Sequence, residues 1–203
     1  SDIIKMFRKR KPDSNKGTYG RAFIVAGSKD MAGAAVMCIK SALRCGAGIV
    51  EAGVPECIQG IIAPMAVEAI IRGLDDEEGH IAKCSRDTII EHLNLSTGYA
   101  LGPGLTAKSG MVELLEGIIS EAEVPGVIDA DGLNILSQNI KMLYNSKSAI
   151  IITPHPGEAA RLLGKTVKEI QQDRIGCAKG LSIEYGVVTV LKGANTVISS
   201  PNG

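Results

Sequence analysis

An alternation of two patterns constrains this chain most: short apolar runs that end on glycine or a small polar residue, each followed by a stretch with helical spacing. Arg21-Ala22-Phe23-Ile24-Val25-Ala26-Gly27 is the first such run, and its length and closing glycine are those of a buried parallel strand. Over residues 34–45, Ala35, Cys38, Ile39, Ala42 and Leu43 recur at three- and four-residue steps until Gly46 and Gly48 stop the pattern, which predicts a helix. Further strands are predicted at 49–54, 98–102, 124–130, 148–153 and 186–191, with 196–199 following a turn at Ala194-Asn195. Met111, Leu114, Leu115, Ile118 and Ile119 form an amphipathic stripe, and helices are predicted at 132–144 and from Pro156 through Leu163. Thr166-Val167-Lys168-Glu169 has capping-box spacing and predicts one helix running to Tyr185. Between 55 and 94 the pattern weakens to a candidate short helix at 56–63, an apolar run at 65–71 and an acidic turn at 75–79, and no element is assigned there. Strands separated by helices in succession predict a mostly parallel sheet with helices on both faces, a three-layer α/β/α domain.

Charge and composition narrow the function. The 203 residues carry 22 basic and 22 acidic side chains, so the expectation is a single domain with no electrostatic footprint for nucleic acid or an anionic membrane. A chain of this size buries roughly 70% of its unfolded surface, enough to need no structural metal or disulfide. Its five cysteines are odd in number and widely spread, which argues against both a disulfide framework and a zinc site and fits a reducing, cytoplasmic setting. The first ten residues are charged too densely for a signal peptide, and the apolar stretch 61–71 is broken by Pro64 and Glu68, so no membrane segment is expected. With no Trp and 3% aromatic residues, a base-stacking single-strand binder is disfavoured.

In such a sheet ligands bind at the carboxyl ends of the strands. The turns there share one feature: Gly27-Ser28-Lys29-Asp30-Met31-Ala32-Gly33, Gly102-Pro103-Gly104, Asp129-Ala130-Asp131-Gly132, Thr153-Pro154-His155-Pro156-Gly157-Glu158 and Lys192-Gly193-Ala194-Asn195 all place glycine or a small polar residue where backbone could approach an anion. Any one alone reads as a tight turn. Five at one sheet edge point to a phosphate-binding cleft. Named nucleotide motifs fail, however. The spacing of Gly27 and Gly33, with Ala34-Ala35 after them, excludes a Walker A loop. Gly46-Ala47-Gly48 leads into a strand and meets Glu51 instead of a third glycine, which disfavours a dinucleotide fingerprint, and no Gly-x-Ser-x-Gly elbow is present.

His155, between Pro154 and Pro156, is held in a rigid turn and is the histidine favoured for binding, whereas His80 and His92 are expected to be exposed. Glu158 starts the next helix, where a carboxylate either favours the helix N-terminus or holds a magnesium ion or its water shell. Asp131 is placed at a helix N-cap or in binding, and Asp129, at a strand terminus, is the better candidate for ligand or metal. Lys192 closes a strand in the same layer and would set a cation beside phosphate oxygens.

Together, Val25-Ala26-Gly27-Ser28 with Gly33-Ala34-Ala35, Ala42-Leu43-Arg44-x-Gly46-Ala47-Gly48, Leu101-Gly102-Pro103-Gly104-Leu105, Val127-Ile128-Asp129-Ala130-Asp131-Gly132-Leu133-Asn134, Thr153-Pro154-His155-Pro156-Gly157-Glu158 and Leu191-Lys192-Gly193-Ala194-Asn195-Thr196 resemble the NAD(P)H-hydrate dehydratase family of the ribokinase-like superfamily, over residues 17–203. His155 is the discriminating position, since similar vitamin kinases carry Asn there. The resemblance implies repair of hydrated NADH or NADPH at the expense of ADP or ATP: the ring hydroxyl is phosphorylated, and the ring nitrogen then expels phosphate. It implies that Ala34, Gly104 and His155 touch the hydrated cofactor, that Lys192, Gly193, Ala194, Asn195 and Thr196 lie along the nucleotide, and that Glu158 sits near Mg2+. It also implies a cytoplasmic homotetramer. The family's glycine-rich anion hole, ending in Gly-Ser-Gly-Asp at a helix start, has no counterpart in this sequence. The implied reading is therefore a single ribokinase-like domain over 1–203 that lacks that C-terminal segment, with Asn202-Gly203 as its beginning, no residue for the catalytic aspartate's role, and no activity by itself. The alternatives are a vitamin or sugar kinase of the same fold and a non-catalytic nucleotide-binding remnant.

Overall fold

The computed structural model describes residues 10–108 and 110–202; the charged leader at 1–9 and Gly203, on which expectations above rest in part, lie outside the described residues. Strand β1 (Arg21–Val25) is followed by helix α1 (Ala32–Cys45), β2 (Ile49–Pro55), α2 (Glu56–Ile62) and β3 (Ile70–Leu74). A hairpin, β4 (Asp76–Glu77) with β5 (His80–Ile81), then leads to α3 (Arg86–Asn94) and β6 (Gly98–Leu101). The second half alternates α4 (Met111–Glu121), β7 (Gly126–Ile128), α5 (Asp131–Leu136), β8 (Ile150–Ile152), α6 (Pro156–Leu163), α7 (Val167–Gln172), α8 (Arg174–Tyr185), β9 (Val188–Leu191) and β10 (Val197–Ser199).

Eight strands form one sheet in the order β10-β9-β8-β7-β6-β1-β2-β3, every neighbouring pair parallel except the β9–β10 hairpin. The predicted parallel architecture holds. Strand β1 is the switch point: the chain moves from it toward β2 and β3, then returns to lay β6 and its successors on the other side. Because parallel crossovers are right-handed, reversing direction moves the connecting helices to the opposite face. One face is accordingly built from Phe23, Val25, Leu101, Ile128 and Ile152 under α3 to α6 and α8, and the other from Ile24, Val50, Ala52 and Val54 under α1 and α2.

The unassigned stretch 55–94 contains β3, the β4–β5 hairpin and α3. Its strands are short edge elements whose burial comes from contacts distant in sequence, so local periodicity could not show them. His80 and His92 are not exposed as expected. His80 is buried in the hairpin, which is tied to the loop after β1 by the Lys29 N–H to Gly79 carbonyl bond (2.9 Å). His92 is half-buried because the last turn of α3 stacks it on Phe23. Two predicted helices are broken. α5 stops at Leu136 and a 3-10 segment takes up Ile140–Asn145 after an extended Asn139; the 166–185 helix splits at Asp173 (φ −141°), whose carboxylate caps α8 by accepting from Gly176 N–H. The Thr166–Glu169 capping box that opens α7 is present.

Glu51 is fully buried in the sheet. Arg21 and Arg72 (2.8 Å) both donate to its carboxylate, and His92 Nδ1 lies 3.3 Å away. Burial opposes ionisation, but the two guanidinium hydrogen bonds and the nearby histidine outweigh it and hold the carboxyl below its usual range. The depressed value sets the sign: this contribution is present above the ordinary glutamate range and is lost as pH falls through the depressed one. Glu51→Ala is expected to destabilise the fold by about 3 kcal/mol, the low end for a broken buried pair because the arginines reach solvent. In urea unfolding the deficit against the parent should shrink once pH drops below that of the buried carboxyl; a constant deficit down to acid pH would show that the charge is not what matters.

Candidate functional site at the strand ends

The five turns named from the sequence do meet at one edge, at the carboxyl ends of β1, β6, β7, β8 and β9. Backbone bonds stitch them together: Gly27 N–H donates to the Pro103 carbonyl (2.8 Å), Gly102 N–H to Val25 (3.2 Å), Asp129 N–H to Leu101 (3.1 Å), Thr153 N–H to Ile128 (3.2 Å) and Lys192 N–H to Pro154 (2.8 Å). Glycine is required where these loops touch. A Cβ on Gly104 (φ +73°) would stand 3.0 Å from both the Ala34 and the Met31 Cβ, so Ala34 and Gly104 pack in direct contact and form one small-residue patch of the rim. Gly102 (φ +132°) lies against the Asp129 carbonyl with no room for a side chain.

On the same strand-end rim stand His155, Glu158, Asp129 and Lys192. His155 is the N-cap of α6 in an extended conformation (φ −77°), its Nδ1 accepting from Gly157 N–H (2.9 Å) while Glu158 accepts from His155 N–H (2.7 Å). His-Pro-Gly-Glu is thus a capping box with proline at the first helical position, which explains why the block has this order. Because Nδ1 accepts a bond, the ring hydrogen sits on Nε2, 3.3 Å from Glu158 Oε1. The imidazole is otherwise open to solvent, at 51% of its side-chain area. Lys192 Nζ bonds Asp129 Oδ1 at 2.6 Å and lies 4.0 Å from Glu158 Oε2. Burial resists the charge on Asp129, but the Lys192 and Thr153 hydrogen bonds and the lysine's charge dominate and hold the carboxyl below its usual range.

Asp131 is not an N-cap. It occupies the first helical position of α5, accepting from the Thr106 N–H (3.1 Å) and Asn134 Nδ2 (3.1 Å), and Asn134 in turn accepts from Arg161 Nε (3.0 Å). This chain joins the β6–α4 loop to α6. Thr106 and Arg161 were missed in the sequence, where each looks like an ordinary surface residue, and Asn134 entered only as the last residue of a motif block. So was Arg174, whose Nη2 reaches the carbonyls of Leu191 (3.0 Å), Lys192 (3.2 Å) and Asn195 (3.2 Å) and closes the Lys192–Thr196 turn. Two non-glycine residues beside Asp131 have positive φ, Thr106 at +63° and Ala130 at +52°. Ala130, with ψ −121°, is in a region that side chains avoid, and the sharp strand-to-helix elbow it makes aims Asp129 and Asp131 apart.

Among the described residues no three metal-ligating side chains cluster. Glu158 and Asp129 both face Lys192, so the pair fits a magnesium ion that arrives with most of its ligands, as phosphate oxygens and water, and takes one carboxylate from the protein.

Loops converging beside the switch point of an open parallel sheet, with glycines at their contacts, a lysine and two carboxylates on one rim, define a doubly wound α/β domain. A family model described as NAD(P)H-hydrate dehydratase matches residues 22–203, and the chain belongs to that family. A bifunctional NAD(P)H-hydrate repair enzyme of Moorella thermoacetica is 38% identical over 196 residues, 96% of this chain and 37% of its own length. An ADP-dependent (S)-NAD(P)H-hydrate dehydratase of Neisseria meningitidis is 36% identical, over 97% of this chain and 64% of its own. The crystal structure of the ADP/ATP-dependent NAD(P)H-hydrate dehydratase of Bacillus subtilis, co-crystallised with ATP/Mg2+, superposes with a TM-score of 0.78 at 31% identity, covering 97% of this chain and 66% of that one. A ribokinase-like protein of Enterococcus faecalis shares the fold at a TM-score of 0.80. The chain thus spans little more than a third of the bifunctional relatives it matches and about two thirds of the single-activity ones.

Two measurements check the geometry. In Lys192→Met the Asp129 carboxyl should titrate at higher pH than in the parent, followed by its 13C resonance; an unchanged titration would mean that the pair does not form in solution. Ala130→Gly removes the backbone strain and should raise stability by about 1 kcal/mol in chemical unfolding.

Proposed function

We propose that this chain carries the substrate- and nucleotide-binding rim of an ADP-dependent NAD(P)H-hydrate dehydratase acting in cofactor repair. The observation that supports it most is the linkage of Lys192 to both the His155–Glu158 cap and Asp129, which puts the Lys192–Thr196 turn and His155 on one rim. The patch formed by Ala34 and Gly104 takes the damaged nicotinamide ring against its surface. His155 donates its Nε2 hydrogen to the hydrated cofactor in exchange for Glu158 Oε1, and its rigid cap keeps it from swinging away. Lys192 stands where phosphate oxygens collect charge, and the exposed turn from Gly193 to Thr196 runs along the nucleotide. Glu158 would hold magnesium, which when bound would supply charge neutralisation to the transferring phosphoryl group. In the reaction the hydrate's hydroxyl oxygen loses its proton and attacks the terminal phosphorus of ADP, releasing AMP; the ring nitrogen's lone pair then expels phosphate to leave an iminium ion, and loss of a proton to water from the adjacent ring carbon restores the dihydronicotinamide. No residue of this chain is assigned the removal of the hydroxyl proton. The magnesium requirement, the cytoplasmic setting, the homotetramer and the choice of ADP over ATP are parts of the same proposal; among the described residues no helix is long and apolar enough to cross a membrane.

Titration calorimetry of residues 1–203 with hydrated NADH and, separately, with ADP in magnesium is expected to show binding of each, and absence of both would overturn the reading. His155→Asn keeps an N-cap acceptor while removing the ring, so it should weaken the hydrate about tenfold and leave ADP within twofold, consistent with a loss of about 1.4 kcal/mol confined to one ligand. Equal losses of the two would indicate that His155 only braces the turn. A vitamin or sugar kinase would instead bind ADP or ATP and show no heat with hydrated NADH.

A further inference from the structure

The β4–β5 hairpin and the start of α4 enclose a cavity of about 400 Å³ whose lining shares no residue with the His155–Lys192 rim. Glu77, Glu78 and His80 line it from the hairpin, Lys108, Gly110 and Met111 from the segment that opens α4, and Lys83 stands with them. The hairpin is pinned in place. Asp76 accepts from Gly79 N–H (3.2 Å) and from Cys57 N–H (2.9 Å), Ala82 N–H donates to the Asp75 carbonyl (2.8 Å), and the Lys29 side chain lies so close on Gly79 (φ +83°) that a Cβ there has no room.

Three features of this cavity are left unused by the rest of the chain. His80 is 6% exposed, and its Nδ1 is buried with no hydrogen-bond partner, a loss of solvation that native structures seldom leave unrecovered. Helix α4, eleven residues long, starts at the cavity with no side chain of the described residues capping it, so its first N–H groups have no such acceptor. Lys29, Lys83 and Lys108 bring three ammonium groups to the hairpin, against the carboxylates of Asp30, Glu77 and Glu78. Of these, Glu78 accepts from Lys108 Nζ (3.1 Å) in an exposed pair that costs little to exchange. Burial, with the Lys108 and Lys29 charges, holds His80 below the usual histidine range against the pull of Asp30 and Glu78, so the ring is neutral at pH 7 and offers a hydrogen bond without a charge.

We propose that this cavity is a phosphate-binding subsite and that it holds a phosphate of the hydrated dinucleotide away from the damaged ring. The site's chemistry stands by itself; the identity of the ligand rests on the proposed function. A helix start and ammonium groups only donate, and a neutral imidazole can. An apolar ligand would leave all three unpaired and a cation would meet the lysines, whereas the several oxygens of a phosphate satisfy them together. The position also fits. Lys108 follows Gly104 by four residues, and the Lys29 N–H that bonds the hairpin precedes Ala34 by five, so the two loops that form the small-residue patch also carry this cavity. Four residues span at most about 14 Å, a reach covered by a dinucleotide whose ring lies on the patch. Two phosphates of the substrate qualify: the pyrophosphate that joins its halves, and the ribose phosphate that only the NADPH form carries.

Inorganic pyrophosphate is the first probe, added to residues 1–203 while the His80 ring resonances are followed. Expected is a saturable shift, with affinity lowered roughly fivefold or more in the Lys83→Met/Lys108→Met double variant, whose exposed positions should leave the thermal midpoint within about 2 °C. No shift of His80 at millimolar pyrophosphate would overturn the site. Calorimetry then compares the same variant with the parent: it should bind hydrated NADPH at least fivefold more weakly and ADP within twofold. A matching loss with hydrated NADH assigns the pyrophosphate, and a loss confined to hydrated NADPH assigns the ribose phosphate. Unchanged affinity for both hydrates, or an equal loss for ADP, would overturn the assignment to the substrate. If the parent binds no hydrate while pyrophosphate still shifts His80, the proposed function fails and the phosphate site stands.

Discussion

The reversal of direction at β1 governs this molecule. Right-handed crossovers can return only over one face for a given direction of travel, so the helices after β1 and β2 and those after β6 and β7 are forced onto opposite sides. At the strands where the two halves meet, the loops after β1 and β6 are joined at the carboxyl edge by the Gly27 to Pro103 bond, and Ala34 and Gly104 come into contact there because those loops leave adjacent strands. The same constraint leaves β6 to β9 bare on the face of α1, because all the described helices of the second half that pack on the sheet lie on the other side.

Charge at the rim is balanced in a way that suits an anionic ligand. One ammonium group, on Lys192, serves two carboxylates, Asp129 directly and Glu158 at the edge of reach. Incoming phosphate would compete for the lysine, and a cation accompanying it would take over the carboxylates; the arrangement is satisfied without ligand and exchangeable with one. What keeps these groups in place lies outside that exchange: the His155 cap, the Asp131–Asn134–Arg161 chain and the grip of Arg174 on three carbonyls. Strain at Ala130 is held by the same surroundings, since Gly132 packs against Ile128 and the Leu101 carbonyl and fixes the elbow on both sides. At the other end of β1 and β2, Glu51 shows a different use of charge, closed and structural, with its two arginines turned toward solvent.

Much of this was legible in amino-acid order. Apolar runs closed by glycine specify parallel strands and their positions because burial on both sides of a strand and the turn beyond it each demand a particular residue type at a local site. Thr153-Pro154-His155-Pro156-Gly157-Glu158 is nearly a complete description of its own cap, an extended histidine at the start of a proline-led helix, since both bonds of that cap are made within three residues. Relationships between such segments were not legible. The Asp131 carboxylate looked like a cap and instead holds Thr106, twenty-five residues earlier; His80 and His92 looked exposed and are enclosed by segments with no periodicity of their own; the helix expected over 166–185 is cut at Asp173 because a carboxylate there gains more by capping a new helix than by continuing the old one. Local pattern thus gives the strands, the turns and the identity of the residues at the rim, because their conformations depend on near neighbours; pairing Lys192 with Asp129, enclosing Glu51 and leaving one half of a face uncovered depend on which strands lie side by side, and that order comes from crossover handedness and burial summed over the whole chain.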